Sequence, residues 1–181
     1  METWWEYELA VFIASMQWGE KISILWYLAS VWFWTPLFTW FSFRIIPESA
    51  TYLPFFPLPV ILILSGLSAY ILSITLQQKS PCQLDPILQI TGPIGQNCMN
   101  SYHSLPNLTS AVWSTCMGFC LFHKKKIQYI EVVILVIAFI SALLANFLLV
   151  QAFFSDLMAG ILWGILISFV FIRLNNKQVV H

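Results

Sequence analysis

Charge is what this sequence has least of. Only 9% of its 181 residues are Asp, Glu, Lys or Arg, against roughly a quarter in an ordinary soluble domain. A soluble fold of this size could not cover its surface with so few charges. The eight acids balance the eight bases, for a formal net charge of zero. No bulk basic or acidic field is left to attract nucleic acid. No group of carboxylates, histidines or thiols stands at metal-ligand spacing, so neither a metal nor another cofactor is implied. The start of the chain also lacks the basic residues that open a secretory signal, since Glu6 and Glu8 make it acidic. No internal repeat and no low-complexity tract is evident.

Apolar residues, in contrast, make up 59% of the chain, with nine Trp and fifteen Phe among them. Aromatic rings in this number suit a molecule that meets lipid at headgroup level. A helix needs about 20 apolar residues to cross the hydrocarbon layer. On that criterion the sequence predicts an all-α integral membrane protein, one membrane domain over residues 1–181 built as a bundle of five transmembrane helices. The spans fall at about 22–43, 58–76, 105–122, 127–150 and 153–172, with Pro36 expected to kink the first. Residues 1–19 are read as an interfacial helix, because Trp5, Leu9, Phe12 and Met16 fall close to one helical face. A sixth span running on into Ile22 is the alternative.

The basic residues orient the bundle. With the loop His123–Lys126 inside, Arg44, Lys124, Lys125, Lys126, Arg173 and Lys177 are all cytoplasmic, and only Lys21 and Lys79 lie outside. The C-terminus is then cytoplasmic, and the N-terminus and the loop Gln77–Ser104 face the exterior or periplasm. The triple lysine needs no role beyond this topology signal. Cys82 and Cys98 share the outward loop, where an oxidising compartment allows a disulfide without requiring one. Cys116 and Cys120 stand one turn apart inside the third span, as small apolar packing. Asn107-Leu-Thr109 matches a glycosylation acceptor, but it stands at a helix entrance too near the membrane to be used.

Polar residues at membrane depth are costly and point to function. Here they gather on the outward side in three places. These are Gln77-Gln78-Lys79 with Asp85-Pro86, the run Asn100-Ser101-Tyr102-His103-Ser104, and Asn146 through Gln151 to Asp156. Together they outline one candidate site.

Thr91-Gly92-Pro93 leading to Ser101 and His103, followed by Ser155-Asp156-Leu157-Met158-Ala159-Gly160 and Gly164, resembles the type 2 phosphatidic acid phosphatase superfamily, including its glucose-6-phosphatase-like branch. That family carries Lys-x6-Arg-Pro, Pro-Ser-Gly-His and Ser-Arg-x5-His-x3-Asp on one membrane face. The resemblance extends over 58–172 in layout, and its specific match covers about a dozen positions. It implies that His103 protonates the leaving oxygen and that Asp156 orients the nucleophile. By the same resemblance Lys79, Ser101, Asn146 and Gln151 line the substrate site, and a phosphorylated lipid headgroup is the expected partner.

The departures are chemically severe. Aligned on Asp156, the nucleophilic histidine is Ala152 and the Ser-Arg pair is Ala145-Asn146. Aligned on Pro86, the lysine is Gln78 and the arginine is Asp85. Alanine cannot attack phosphorus, and the clamp that stabilises a phosphoryl-transfer transition state is gone. The sequence therefore predicts a phosphatase-like membrane bundle that has lost catalysis and serves as a lipid- or partner-binding scaffold. The alternatives are a divergent phosphohydrolase on lipid phosphates or pyrophosphates that relies on His103 and Asp156, and a small transporter or assembly subunit. Each retained residue also has a plain structural role open to it. His103 can cap the third span, Asp156 can favour the positive end of the fifth, and Asn146, Gln151 and Gly160-x3-Gly164 can serve helix packing.

Overall fold

A computed structural model describes residues 4–17, 21–45, 57–84, 87, 89–90, 105–122 and 128–178. Among them the chain is helical throughout, without a strand. Its helices are α1 (Trp4–Ser15), α2 (Ile24–Ala29), α3 (Thr35–Ile45), α4 (Pro57–Leu76), α5 (Leu108–Phe122), α6 (Tyr129–Leu148) and α7 (Phe154–Gln178). A 3-10 turn, Val31–Trp34, joins α2 to α3, and another covers Pro81–Gln83.

Three helices among the described residues are long and apolar enough to cross a membrane: Leu58–Leu76, Tyr129–Leu148 and Phe154–Arg173. Each turns a row of large apolar side chains outward. On α4 these are Val60, Ile63, Leu67, Ile71 and Ile74; on α7 they are Met158, Leu162, Ile165, Phe169 and Val170. Spacing of three or four residues puts each row on one helical face. Lipid is the solvent that such faces suit, since in water they would form large apolar patches.

Helix α5 holds the centre. Its fifteen residues rise about 22 Å, short of the roughly 30 Å hydrocarbon layer. It is covered on most sides instead: Ala111, Trp113, Cys116 and Phe119 are fully buried. Phe38 and Phe41 of α3, Leu58 and Ile61 of α4, and Leu135, Ala138 and Ala142 of α6 close around it. Trp113 lies edge-on to Trp34 and Phe38, at centroid distances of 5.2 and 4.8 Å. Its indole N–H has no hydrogen-bond acceptor among the described residues, so its contribution there is ring packing. Cys116 and Cys120 are free thiols in the same core.

The most extensive contact is between α5 and α7, and small residues make it. Gly160 and Gly164 lie against Ser110, Ala111, Ser114 and Thr115. The close approach lets the Thr115 hydroxyl share its proton between Ala111 O of its own helix (2.8 Å) and Gly164 O (3.1 Å), and the same oxygen pairs with Ser65 Oγ of α4 at 2.7 Å. Among apolar helices in lipid, such backbone contact and interhelical hydrogen bonding drive association. Thr115→Val keeps the shape and removes the hydroxyl, and it should cost about 1 kcal/mol. Reversible unfolding in mixed detergent micelles would measure this.

The expected first span, 22–43, is not one helix. It breaks at Ser30, whose backbone is extended (φ −80°, ψ 128°), and not at Pro36. Pro36 is the second residue of α3, in the first turn, where its missing N–H costs no hydrogen bond. Distant side chains stabilise the break by taking the carbonyls that α2 leaves open at its end. Trp34 Nε1 donates to Leu28 O at 2.9 Å. Thr109 Oγ1 and Asn146 Nδ2 both donate to Ala29 O, at 3.0 and 3.2 Å. The third span is also shorter at its start than expected, because α5 begins only at Leu108, after the cis peptide Leu105–Pro106. The fifth runs further, to Gln178.

Helix α1 falls within residues 1–19. Glu6, Ala10, Ile13 and Ala14 point inward, against Ile87, Val150 and Phe153. Trp5 and Phe12 of the expected apolar face are exposed, and Leu9 and Met16 are half-buried.

Candidate functional site

The polar residues converge where α5 begins, α6 ends and α7 begins. Two left-handed turns shape the place. Gln77 (φ 51°) ends α4, and Val150 (φ 56°) reverses the chain between α6 and α7. A β-branched residue in that region carries a conformational cost of about 1–3 kcal/mol. Val150 is held there because its side chain is buried against α1 and its carbonyl accepts the N–H of Cys82 at 3.1 Å.

Asp156 is fully buried in the first turn of α7. Its Oδ2 accepts the N–H of Phe153 at 3.0 Å, and its Oδ1 accepts Gln78 Nε2 at 3.3 Å. The first contact is the back-reaching half of a capping box, in which an acid of the first turn accepts the N–H of the residue before the helix, a donor that the helix leaves open. A carboxylate there also meets the positive end of the helix dipole. The carbonyl of Asp156 accepts the N–H of Asn107 at 3.1 Å, so the start of α5 is tied to the start of α7.

Asn107 caps α5 in turn. Its Oδ1 accepts the N–H of Ser110 at 3.0 Å, and its Nδ2 reaches Asn146 Oδ1 at 3.5 Å. Asn146 Nδ2 donates to Ala142 O at 2.9 Å as well as to Ala29 O. Asn107 and Thr109 are both buried, which leaves the acceptor sequence no room for a glycan. Glu6 completes the cluster from α1: its Oε1 accepts the N–H of Ser155 at 2.7 Å.

Two of the three expected polar regions therefore meet, through Gln78–Asp156 and the neighbouring Asn107–Asn146 pair. Lys79 is exposed, one residue from Gln78. Gln151 is half-buried, and its backbone N–H closes the turn onto Asn146 O at 3.0 Å. Ser101 and His103, with Asp85, Cys98 and the loop His123–Lys126, lie outside the described residues. Cys82 is disulfide-bonded.

Ala152, the position expected to correspond to a nucleophile, is buried beneath α1 and beside Phe153. A methyl group there offers no chemistry. No group of three or more His, Cys, Asp or Glu able to hold a metal occurs among the described residues. What the cluster does, on its own geometry, is tie six chain segments together with buried and half-buried hydrogen bonds.

Sequence reasoning missed Asn107, Thr109 and Glu6. Asn107 had a signal: an asparagine just before an apolar run is a start mark for a helix. Glu6 had none beyond its being an acid within an apolar helix. No protein-family model matches the chain, and no curated protein or solved structure matches it either.

Proposed function

We propose that the chain is a non-catalytic integral membrane scaffold with the layout of a lipid-phosphate phosphatase and none of its phosphate chemistry. The observation that carries this reading is the junction itself. Gln78, Asn146, Ala152 and Asp156 stand where the resemblance expects lysine, arginine, histidine and aspartate, and they gather at one end of the bundle. Asn107 stands beside Asn146 and Asp156 at the same junction.

Five spans and an interfacial α1 belong to this reading, with α2 and α3 together forming a broken first span. The disulfide at Cys82 supports an extracytoplasmic position for the junction, because such bonds persist in oxidising compartments. The charge bias supports the same side independently. Lipid is the expected partner, packed on the outward apolar rows, with headgroups near the exposed Lys79.

The test is phosphate release by the purified full chain from lipid phosphates, isoprenyl pyrophosphates and glucose 6-phosphate. No release above the protein-free blank is expected, with His103→Ala and Asp156→Ala indistinguishable from the parent. Turnover that a folded His103→Ala variant loses would overturn the reading in favour of a divergent phosphohydrolase.

A further inference from the structure

Helix α1 is fixed to the bundle along one side. Ala10, Ile13 and Ala14 pack on Ile87, Val150 and Phe153, with Leu9 and Val11 beside them. The ring of Trp5 rests on Phe154, 6.3 Å between centroids, and Glu6 accepts the Ser155 N–H at 2.7 Å. What α1 turns away from the bundle is therefore held in place in advance of any contact.

That outer side mixes large rings with a charge. Trp4, Glu8 and Phe12 follow one another at four-residue spacing and Trp5 stands three residues before Glu8, which puts all four on one face. Trp4 is 79% exposed, Phe12 58% and Trp5 49%, and Glu8 is exposed among them. The acids nearest to it in the fold, Glu6 and Asp156, are buried and hydrogen-bonded. No hydrogen bond or ion pair among the described residues engages Glu8.

Rings this exposed are unfavourable in water, and a bare carboxylate is unfavourable in hydrocarbon. The headgroup layer accommodates both, since indole rings settle there. At that depth a carboxylate meets lipid phosphates, which repel it, and headgroup ammonium groups, which it attracts. Indole faces add to the attraction through their quadrupole. The face is also continuous with the outward apolar row of α7: Trp5 touches Phe154, and Met158 and Leu162 follow at four-residue spacing, all exposed.

We propose that the outer face of α1 binds a zwitterionic phospholipid by its headgroup ammonium, with Glu8 as counter-ion and the rings of Trp4 and Trp5 beside it. The acyl chains of that lipid lie along the α7 row. The proposal rests on the interfacial placement of α1 given under the proposed function.

Photolabelling of the full chain in bilayers of equal parts phosphatidylcholine and phosphatidylglycerol tests this. Two trace lipids carry the same diazirine on the acyl chain just below the headgroup and differ only in bearing choline or glycerol. Labelling of 4–17 is read by mass spectrometry and divided by that of 58–76, which supplies the rate for bulk lipid. The choline lipid should exceed the glycerol lipid on 4–17 by about threefold or more, as a surface ion pair with ring contacts allows. Glu8→Gln should bring the two lipids level, and Glu8→Lys should invert the preference. Trp4→Leu should reduce the preference while leaving the charge. Both side chains are exposed, so these substitutions leave the core untouched. Equal labelling by the two lipids in the parent, or a preference that Glu8→Lys leaves unchanged, would overturn the proposal while α1 stays interfacial. Absence of both labels from 4–17, with 58–76 labelled, would overturn the interfacial placement itself and the proposal with it.

Discussion

Gly164→Leu should yield no folded protein, and even Gly164→Ala should lose about 3 kcal/mol, at the upper end of what overpacking costs. A β-carbon at Gly164 would fall on the Ala111 carbonyl and the Ser114 hydroxyl, and would stand 2.8 Å from the Thr115 amide nitrogen. Two of these three atoms are backbone of α5, which cannot rotate away as a side chain can. To make room, α7 would have to move off α5, and the bond from Thr115 Oγ1 to Gly164 O would go with it. Gly160 is held in the same way, 2.5 Å from the Asn107 carbonyl to a β-carbon built there.

Gly66 supplies the control. A β-carbon there meets Val112 Cγ2 at 3.4 Å and Leu108 Cδ1 at 3.7 Å, which is ordinary contact. Gly66→Ala should therefore be neutral, or stabilising by up to about 1 kcal/mol through the helix preference for alanine. Unfolding of the three proteins in mixed micelles measures the contrast. Equal changes at Gly66 and Gly164 would mean that the close approach of α5 to Gly164 does not set the cost.

Asp156→Ala is the second large effect, and it should act on stability. The substitution leaves the buried Phe153 N–H and the half-buried Gln78 Nε2 without their carboxylate acceptor. An orphaned buried donor costs roughly 1–3 kcal/mol, so a loss of about 2 kcal/mol is expected, most of it from the Phe153 N–H. Asp156→Asn keeps one acceptor oxygen and should lose distinctly less. The unfolding free energies of the two variants give the measurement. A residue kept for catalysis alone would show the reverse pattern, with both substitutions nearly neutral for stability.

At the junction the sequence is legible only part of the way. An aspartate in the first turn of a helix can complement the dipole and also orient a catalytic group, and Ser155-Asp156 is compatible with both. The choice depends on what occupies the other end of the hydrogen bonds. Two of those partners are Gln78 and Phe153, one of them far away in sequence. The same holds for Asn146: its amide was legible as an interhelical donor, but its acceptor, Ala29 O, exists only because α2 stops there.

The long apolar runs determined by themselves that 58–76, the run ending near 148 and the run from 154 form membrane-length helices. Hydropathy is a sum over neighbouring residues, and no distant contact is needed to evaluate it. Gly160-x3-Gly164 permitted a close approach of some helix there. Only the tertiary structure decided which helix it is, that the first expected span breaks at Ser30, and that Glu6 turns inward to meet Ser155. In each case a backbone group must find its partner across the bundle, and such a pairing is a property of two places in the chain, which no local pattern contains.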